Sequence, residues 1–208
     1  MLDVKSGVFG ALENNCYLIT DTETGLSALI DCTDSSEDMI DFISGSRLEY
    51  ILLTHGHFDH IGGVAEISKK TGAEIVISAE DAPMLTSSRL SLAAFSGISQ
   101  EPAEAEITIK DGSEISLGSS LIKVIATPGH TTGSVCYLCG EKLFCGDTLF
   151  RCSCGRTDFP GGSSDDMLSS LLILAGLNGN PTVYPGHGGA STLDYERRNN
   201  PYINRNFI

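Results

Sequence analysis

The sequence predicts an α/β protein in which two β-sheets pack face to face and helices cover their outer sides. Three observations lead there. In each half of the chain, strand-like runs come first and helical ones follow. Several strand runs lie close enough together to close as hairpins. One run, "YILLT" at 50–54, is continuously apolar, as a strand covered on both faces would be.

The elements follow in order. "NCYLIT" (15–20) and "SALIDC" (27–32) read as strands joined by the turn-rich "DTETG". "SSEDMIDFIS" (35–44) opens with a capping serine and early acids, then spaces its apolar residues as a helix does. After "YILLT", "GGVAEISKKTG" (62–72) reads as a helix closed by Gly72, and "EIVIS" (74–78) as the next strand. Residues 80–97 are expected to form one or two helices, with Pro83 near the start. "EITIKDGSEISLGSSLIKVIATPGH" (106–130) alternates and turns like a meander of strands. "SVCYLC" (134–139) and "KLFCGD" (142–147) form a hairpin around Gly140 and Glu141. "SSDDMLSSLLILAGL" (163–177) is an amphipathic helix, "TVYPGHG" (182–188) a last strand entering a glycine-rich loop, and "STLDYERRNN" (191–200) a closing helix. No low-complexity linker interrupts the 208 residues, so a single domain spanning 1–208 is expected.

Composition narrows the function classes. An apolar share of 41% is enough for a sizeable core. No apolar run reaches the roughly 18 residues of a membrane-spanning helix. The start "MLDVKSGVFGALENN" lacks the pattern of a secretory signal, so a cytoplasmic location is expected. The net charge of −14 repels polyanions, which sets nucleic acid and anionic membranes aside as partners. A small anion can still approach where a bound cation reverses the local sign. The seven cysteines are expected to be reduced, with Cys16, Cys32 and Cys145 in apolar runs as small core residues. The pairs Cys136/Cys139 and Cys152/Cys154 could supply a Cys₄ zinc site. A C-x-x-C within a strand, however, points its two sulfurs to opposite faces. A structural role is therefore expected, with a redox role for Cys152 and Cys154, close to the Asp147 loop, as the alternative.

The five histidines carry the chemistry. His55, His57, His60, His130 and His187 all lie at strand-to-loop transitions with glycine close by: "THGHFDHIGG", "TPGHTTG" and "YPGHGG". Glycine allows the close backbone approach that a crowded site needs. In an extended segment His55 and His57 point the same way and can face one cation. Asp59 and His60, where the chain turns toward the next helix, can serve a second. Asp147 in "FCGDTLF" adds a carboxylate able to bridge two ions. These are nitrogen and oxygen ligands. They imply two divalent cations, zinc favoured, with iron or manganese as alternatives.

"THGHFDH" matches the H-x-H-x-D-H signature of the metallo-β-lactamase superfamily. "TPGHTTGS", "FCGDTLF" and "YPGHG" resemble its remaining metal motifs, in the family's order. The resemblance implies a four-layer αβ/βα sandwich with the metals at one edge of the two sheets. It implies one metal on His55, His57 and His130, a second on Asp59, His60 and His187, and Asp147 between them. "GDTLFRCSCGRTDFPGG" and "GHGGASTLDYERRNNPYI" are similar to short forms of the glyoxalase II-like thioester hydrolases. That implies hydrolysis of a small anionic thioester of the hydroxyacyl-thiol type, with Asp59 orienting the attacking water or taking its proton. Arg156 stands where such enzymes often carry a basic residue that touches substrate, and is expected to meet a substrate carboxylate. Full-length glyoxalase II adds a C-terminal helical domain that helps hold glutathione; the chain, ending at Ile208, is expected to lack it.

Persulfide dioxygenases share the "GRTDF" segment but bind one iron through two histidines and an aspartate. "YPGHG" retains His187 in the hydrolase manner. Hydrolysis of another ester, lactone or amide is a further alternative, as is a metal-binding protein without catalysis. Residues 80–105 are expected to shape the pocket.

Overall fold

The computed structural model describes residues 1–204. The first sheet contains β1 (Leu2–Phe9), β2 (Asn14–Asp21), β3 (Leu26–Ile30), β4 (Arg47–Leu52), β5 (Glu74–Ser78) and β6 (Ile107–Ile109), in that spatial order. Pairing is antiparallel from β1 to β3 and parallel from β3 to β6. The parallel steps need crossovers. The crossover from β3 to β4 carries α1 (Glu37–Ile43), and that from β4 to β5 carries α2 (Phe58–Ile61) and α3 (Val64–Thr71).

The second half supplies β7 (Glu114–Leu117), β8 (Ser120–Ala126), β9 (Val135–Cys139), β10 (Lys142–Gly146), β11 (Leu149–Phe150), β12 (Ser153–Cys154), β13 (Thr182–Pro185) and β14 (Ser191–Thr192). The second sheet has the order β14-β13-β10-β9-β8-β7, while β11 and β12 form a separate two-stranded ribbon. The later helices are α4 (Ala93–Ser96), α5 (Ser164–Ala175) and α6 (Leu193–Asn199).

Strand alternation builds the layers. Along β2, Tyr17 and Ile19 face the second sheet, while Cys16 and Leu18 face the helices. The inter-sheet layer joins Ile30, Leu52 and Val76 of the first sheet to Val124, Tyr137 and Phe144 of the second. Met39, Phe42, Val64 and Ile67 of α1 and α3 cover the first sheet's outer face. Met167, Leu171, Leu174 and Leu193 of α5 and α6 cover the second. The result is helix, sheet, sheet, helix. Ser36 caps α1 by accepting a hydrogen bond from the Met39 amide, and Ser163 caps α5 through the Asp166 amide.

Four expectations change. β1 went unread: of its eight residues only Leu2 and Phe9 are buried, so it shows no clean alternation, as befits an edge strand. Residues 80–97 hold a 3₁₀ turn (Ala82–Thr86) and the single turn α4, not one or two full helices. Leu92 and Gly97 bracket α4 in left-handed conformation, at φ 70° and 68°, which blocks propagation. The segment "EITIK" does not start a meander but enters the first sheet as β6, and the chain changes sheets before β7. "STLDYERRNN" begins with β14 before α6.

The alternation predicted for the C-x-x-C pair is present, with Cys136 in the outer helical layer and Cys139 against the inter-sheet layer. Cys16, Cys32 and Cys145 are fully buried.

Candidate metal centre

Four strands deliver the site at their C-terminal ends. His55 follows β4, His130 follows β8, Asp147 follows β10 and His187 follows β13. His57 is the residue before α2, and Asp59 and His60 lie in its single turn. Two hydrogen bonds clamp the sheets together beside the site, from the Val135 amide to the Thr54 carbonyl (2.9 Å) and from the Tyr137 hydroxyl to the Leu53 carbonyl (2.7 Å).

All seven residues singled out as ligands converge. They form three overlapping groups, His55/His57/His130, His55/His60/Asp147 and Asp59/His60/His187, each with donor atoms within 4.8 Å of one another. His57 Nδ1 is 2.8 Å from His130 Nε2. Asp59 Oδ2 is 3.3 Å from His187 Nε2 and 3.7 Å from His60 Nε2. Asp147 lies between the groups: Oδ2 is 3.5 Å from His130 Nε2, and Oδ1 is 3.4 Å from His60 Nε2 and 3.7 Å from His187 Nε2.

Four of the five remaining ring nitrogens are held from behind; His57, whose Nδ1 faces the site, leaves its buried Nε2 without a partner. His60 Nδ1 meets Asp31 Oδ2 at 2.8 Å, His130 Nδ1 the Arg156 carbonyl at 2.7 Å, and His187 Nδ1 the Leu12 carbonyl at 3.0 Å. His55 Nδ1 meets the Thr54 hydroxyl at 3.2 Å. Each such contact with an acceptor fixes the proton on Nδ1 and turns the Nε2 lone pair inward.

Titration tendencies suit a cation at His55, His57, Asp59 and Asp147; at His60 and His187 burial pushes down, but the surrounding carboxylates outweigh it and push those two imidazoles up. Burial pushes His55 well below the ordinary imidazole range, with His60 and His130 adding to it, and pushes His57 down to about 3. Burial works to raise Asp59 and Asp147, but the neighbouring imidazoles, His60 foremost, hold both carboxyls below the usual range. The carboxylates are therefore anionic and the imidazoles of His55 and His57 neutral, the forms that coordinate metal. A donor set can be tested by its orphans. The buried Nε2 atoms of His55 and His60 and Oδ1 of Asp147 have no hydrogen-bond partner. Leaving a buried polar atom unpaired costs about 1–3 kcal/mol, and cations would satisfy these atoms. The residues fit two divalent ions.

Glycine keeps the centre tight. A Cβ on Gly186 would lie 2.3 Å from Asp147 Oδ1 and 2.9 Å from His60 Cε1. Gly146, at φ 45°, sits where the register with β13 shifts, and a Cβ there would lie 2.3 Å from the Thr54 hydroxyl.

A cleft of about 680 Å³ opens on the centre, reaching His57, Asp59, His130, Asp147 and His187. Arg156 stands at its edge. The guanidinium is committed to Asp158 through two 2.7 Å hydrogen bonds and lies 3.9 Å over the Phe159 ring. Residues 80–105 do contribute to the wall, through Leu92, Phe95 and Ser96.

Sequence reasoning missed three supports. Asp31 accepts from the Thr54 amide at 2.8 Å as well as from His60. Asp81 accepts from the Gly56 amide (3.0 Å), the Thr131 hydroxyl (2.7 Å) and the Gly133 amide (2.9 Å), tying the loop of His55 and His57 to that of His130. Asn15 donates to the Pro185 and Gly188 carbonyls at 3.0 and 2.8 Å, which holds the His187 loop. Cys152 and Cys154 enter none of the metal-competent groups among the described residues; Cys152 Sγ lies 3.7 Å from the Tyr195 hydroxyl.

Comparison with known proteins places this geometry. The profile described as the Metallo-beta-lactamase superfamily matches residues 9–187. A curated relative from Haemophilus influenzae, named hydroxyacylglutathione hydrolase GloC, is 34% identical over 201 residues, 93% of this chain and 94% of its own. The crystal structure of BLEG-1 B3 metallo-beta-lactamase superposes with a TM-score of 0.91 at 28% identity, covering 98% of this chain and 100% of that one. TTHA1623 in a di-iron-bound form gives 0.85 at 33% identity, over 96% and 100%. ETHE1 from Myxococcus xanthus gives 0.80 at 28%, over 96% and 83%.

Proposed function

Since the chain belongs to the metallo-β-lactamase superfamily, we propose that it is a dinuclear metal-dependent hydrolase of the glyoxalase II-like kind, acting on a small thioester. The observation that carries this is Asp147, whose two oxygens face the two ligand groups separately. The likeness to a hydroxyacylglutathione hydrolase over nearly the whole of both chains supports it.

His55, His57 and His130 would hold one cation, Asp59, His60 and His187 the other, with Asp147 shared. When bound, the pair would supply an acidified water and a Lewis acid for the carbonyl oxygen. The chain's own groups do the rest. Asp59 Oδ2, 3.3 Å from His187 Nε2, orients the water or takes its proton. The backbone carbonyls of Leu12 and Arg156 keep His187 and His130 in the tautomer that faces inward. In the net reaction a C–O bond forms from water, the C–S bond breaks, and the products are a carboxylic acid and a thiol. The leaving thiolate needs no dedicated acid, since thiols ionise near pKa 8.5. Zinc is the first choice of metal, with iron and manganese beside it.

A small molecule, not nucleic acid or a membrane, is the proposed partner, and the cytoplasm the proposed location. No helix among the described residues is long and apolar enough to cross a membrane.

Chelation followed by reloading with Zn²⁺, Mn²⁺ or Fe²⁺, assayed on S-D-lactoylglutathione and other thioesters, tests the proposal. Activity is expected to vanish and return with about two ions per chain. Turnover that survives complete metal removal would end it. The "GRTDF" segment keeps one alternative in view: a single iron with oxygen uptake and no thioester cleavage would establish the persulfide dioxygenase reaction instead.

A further inference from the structure

The cleft differs in kind from a site for a charged carrier. Its walls, apart from the candidate ligands, are mostly apolar: Leu12, Phe58, Leu92, Phe95, Phe159 and Pro160. Two of these side chains are displayed to solvent beside the centre, Leu12 at 54% and Phe95 at 74% exposure. Apolar side chains held over a reactive centre favour an apolar occupant, because burying them releases water from both surfaces.

Phe95 is held there by built structure. Leu92 adopts a left-handed backbone at the start of α4, an unfavourable conformation for a large side chain. Ser91 anchors the segment twice, its hydroxyl meeting Gln100 Oε1 and its carbonyl accepting from the Phe58 amide at 2.9 Å. Gln100 in turn donates to the carbonyls of Met84 and Leu85 at 2.8 and 3.0 Å.

Charge points the same way. Among the described residues Arg156 is the one Lys or Arg lining the cleft, and Asp158 already neutralises it with paired 2.7 Å bonds. Glutathione would bring two carboxylates and an ammonium into a space where the described residues offer no Lys or Arg free of a carboxylate partner, inside a chain of net charge −14.

Resting on thioester hydrolysis as the reaction, we propose that the cleft selects thioesters whose acyl group and thiol are apolar and uncharged, and that Phe95 is a residue determining this specificity. The proposal stands against the expectation of an anionic substrate held by Arg156, and the experiment below separates the two.

The test compares metal-loaded protein on octanoyl and benzoyl thioesters of a small neutral thiol with S-D-lactoylglutathione. The apolar substrates are expected to have a kcat/KM at least about ten-fold higher. Phe95→Ser is expected to raise KM for the apolar substrates several-fold, leave their kcat in place, and raise KM for lactoylglutathione far less. Leu90→Ser, on the same segment and outside the cleft, is the control for a general disturbance and should change neither. Lactoylglutathione cleaved as well as the apolar substrates, or Phe95→Ser weakening both alike, overturns the proposal.

Uncleavable thioether analogues separate this from the reaction itself. A neutral octyl thioether bound at least about ten-fold more tightly than S-octylglutathione supports the selectivity even where no thioester turns over. Equal binding defeats it while leaving hydrolysis of glutathione thioesters standing.

Discussion

Asp31 shows how much of the centre rests on residues that touch no ion. Its carboxylate accepts from the Thr54 amide (2.8 Å), the Thr54 hydroxyl (2.9 Å) and His60 Nδ1 (2.8 Å), and Thr54 in turn meets His55. The backbone at Asp31 is left-handed, with φ 57°, a conformation that aspartate tolerates better than most residues. Asp31→Asn would weaken the hold on His60 and, through Thr54, on His55. Metal affinity is expected to fall by about 10–100-fold, measured by competition with a chelator, while the circular dichroism spectrum stays that of the parent. An unchanged affinity would remove Asp31 from the account. At this scale the ligands were legible and their supports were not. A histidine beside glycine at a strand end is uncommon enough to stand out, and here that pattern recurs in three separate motifs. An aspartate at the end of "SALID" looks like any strand terminus. The Leu12 and Arg156 carbonyls are main-chain groups with no residue signature at all.

Between elements, polar side chains bolt the sheets together. Tyr137 on β9 is wholly buried and its hydroxyl donates to the Leu53 carbonyl at 2.7 Å, one residue from Thr54. Tyr137→Phe keeps the ring but leaves that carbonyl unpaired, and is expected to cost about 1–3 kcal/mol in urea denaturation. Asp21, at the end of β2, reaches the β7–β8 turn through Ser119 (2.9 Å) and Ser120 (2.7 Å) while also accepting from the Thr24 amide (2.9 Å). The Ser120 hydroxyl, against an opposing push from desolvation and helped by Thr24 and Ser119, holds its carboxyl well below the usual range. A depressed folded pKa means stability present above the unfolded value of about 4 and lost as the pH falls through the folded one. Asp21→Asn should therefore be less stable than the parent at pH 7, with the gap closing under acid. A gap that stays constant from pH 7 to pH 3 would refute this. Elements were legible where periodicity was strong, as in α5 and the β9–β10 hairpin. They were illegible where geometry came from single residues, as at Leu92, or where an exposed edge erased the alternation, as in β1.

For the molecule as a whole, the centre is a joint between halves. The chain before β7 supplies His55, His57, Asp59 and His60, and the chain after it supplies His130, Asp147 and His187. Ions bound across that joint stabilise only the state in which both sheets are assembled. At a free metal concentration of about 100 Kd the gain is about 2.7 kcal/mol, or about 5–10 °C in the thermal midpoint of a chain this size. Calorimetry at increasing zinc should show the midpoint climbing with the logarithm of concentration; a midpoint indifferent to metal would speak against ligation by both halves. The layer order was legible because each half repeats strands before helices. The crossing of "EITIK" into the first sheet was not, since alternation states which face is apolar and never which sheet receives it.

The same joint has a consequence for how the protein comes apart. Each ligand group draws donors from both portions of the chain, so prising the two sheets open should strip ligands from every bound ion at once. A colorimetric zinc indicator would then report unfolding as sharply as any spectroscopic probe of the backbone.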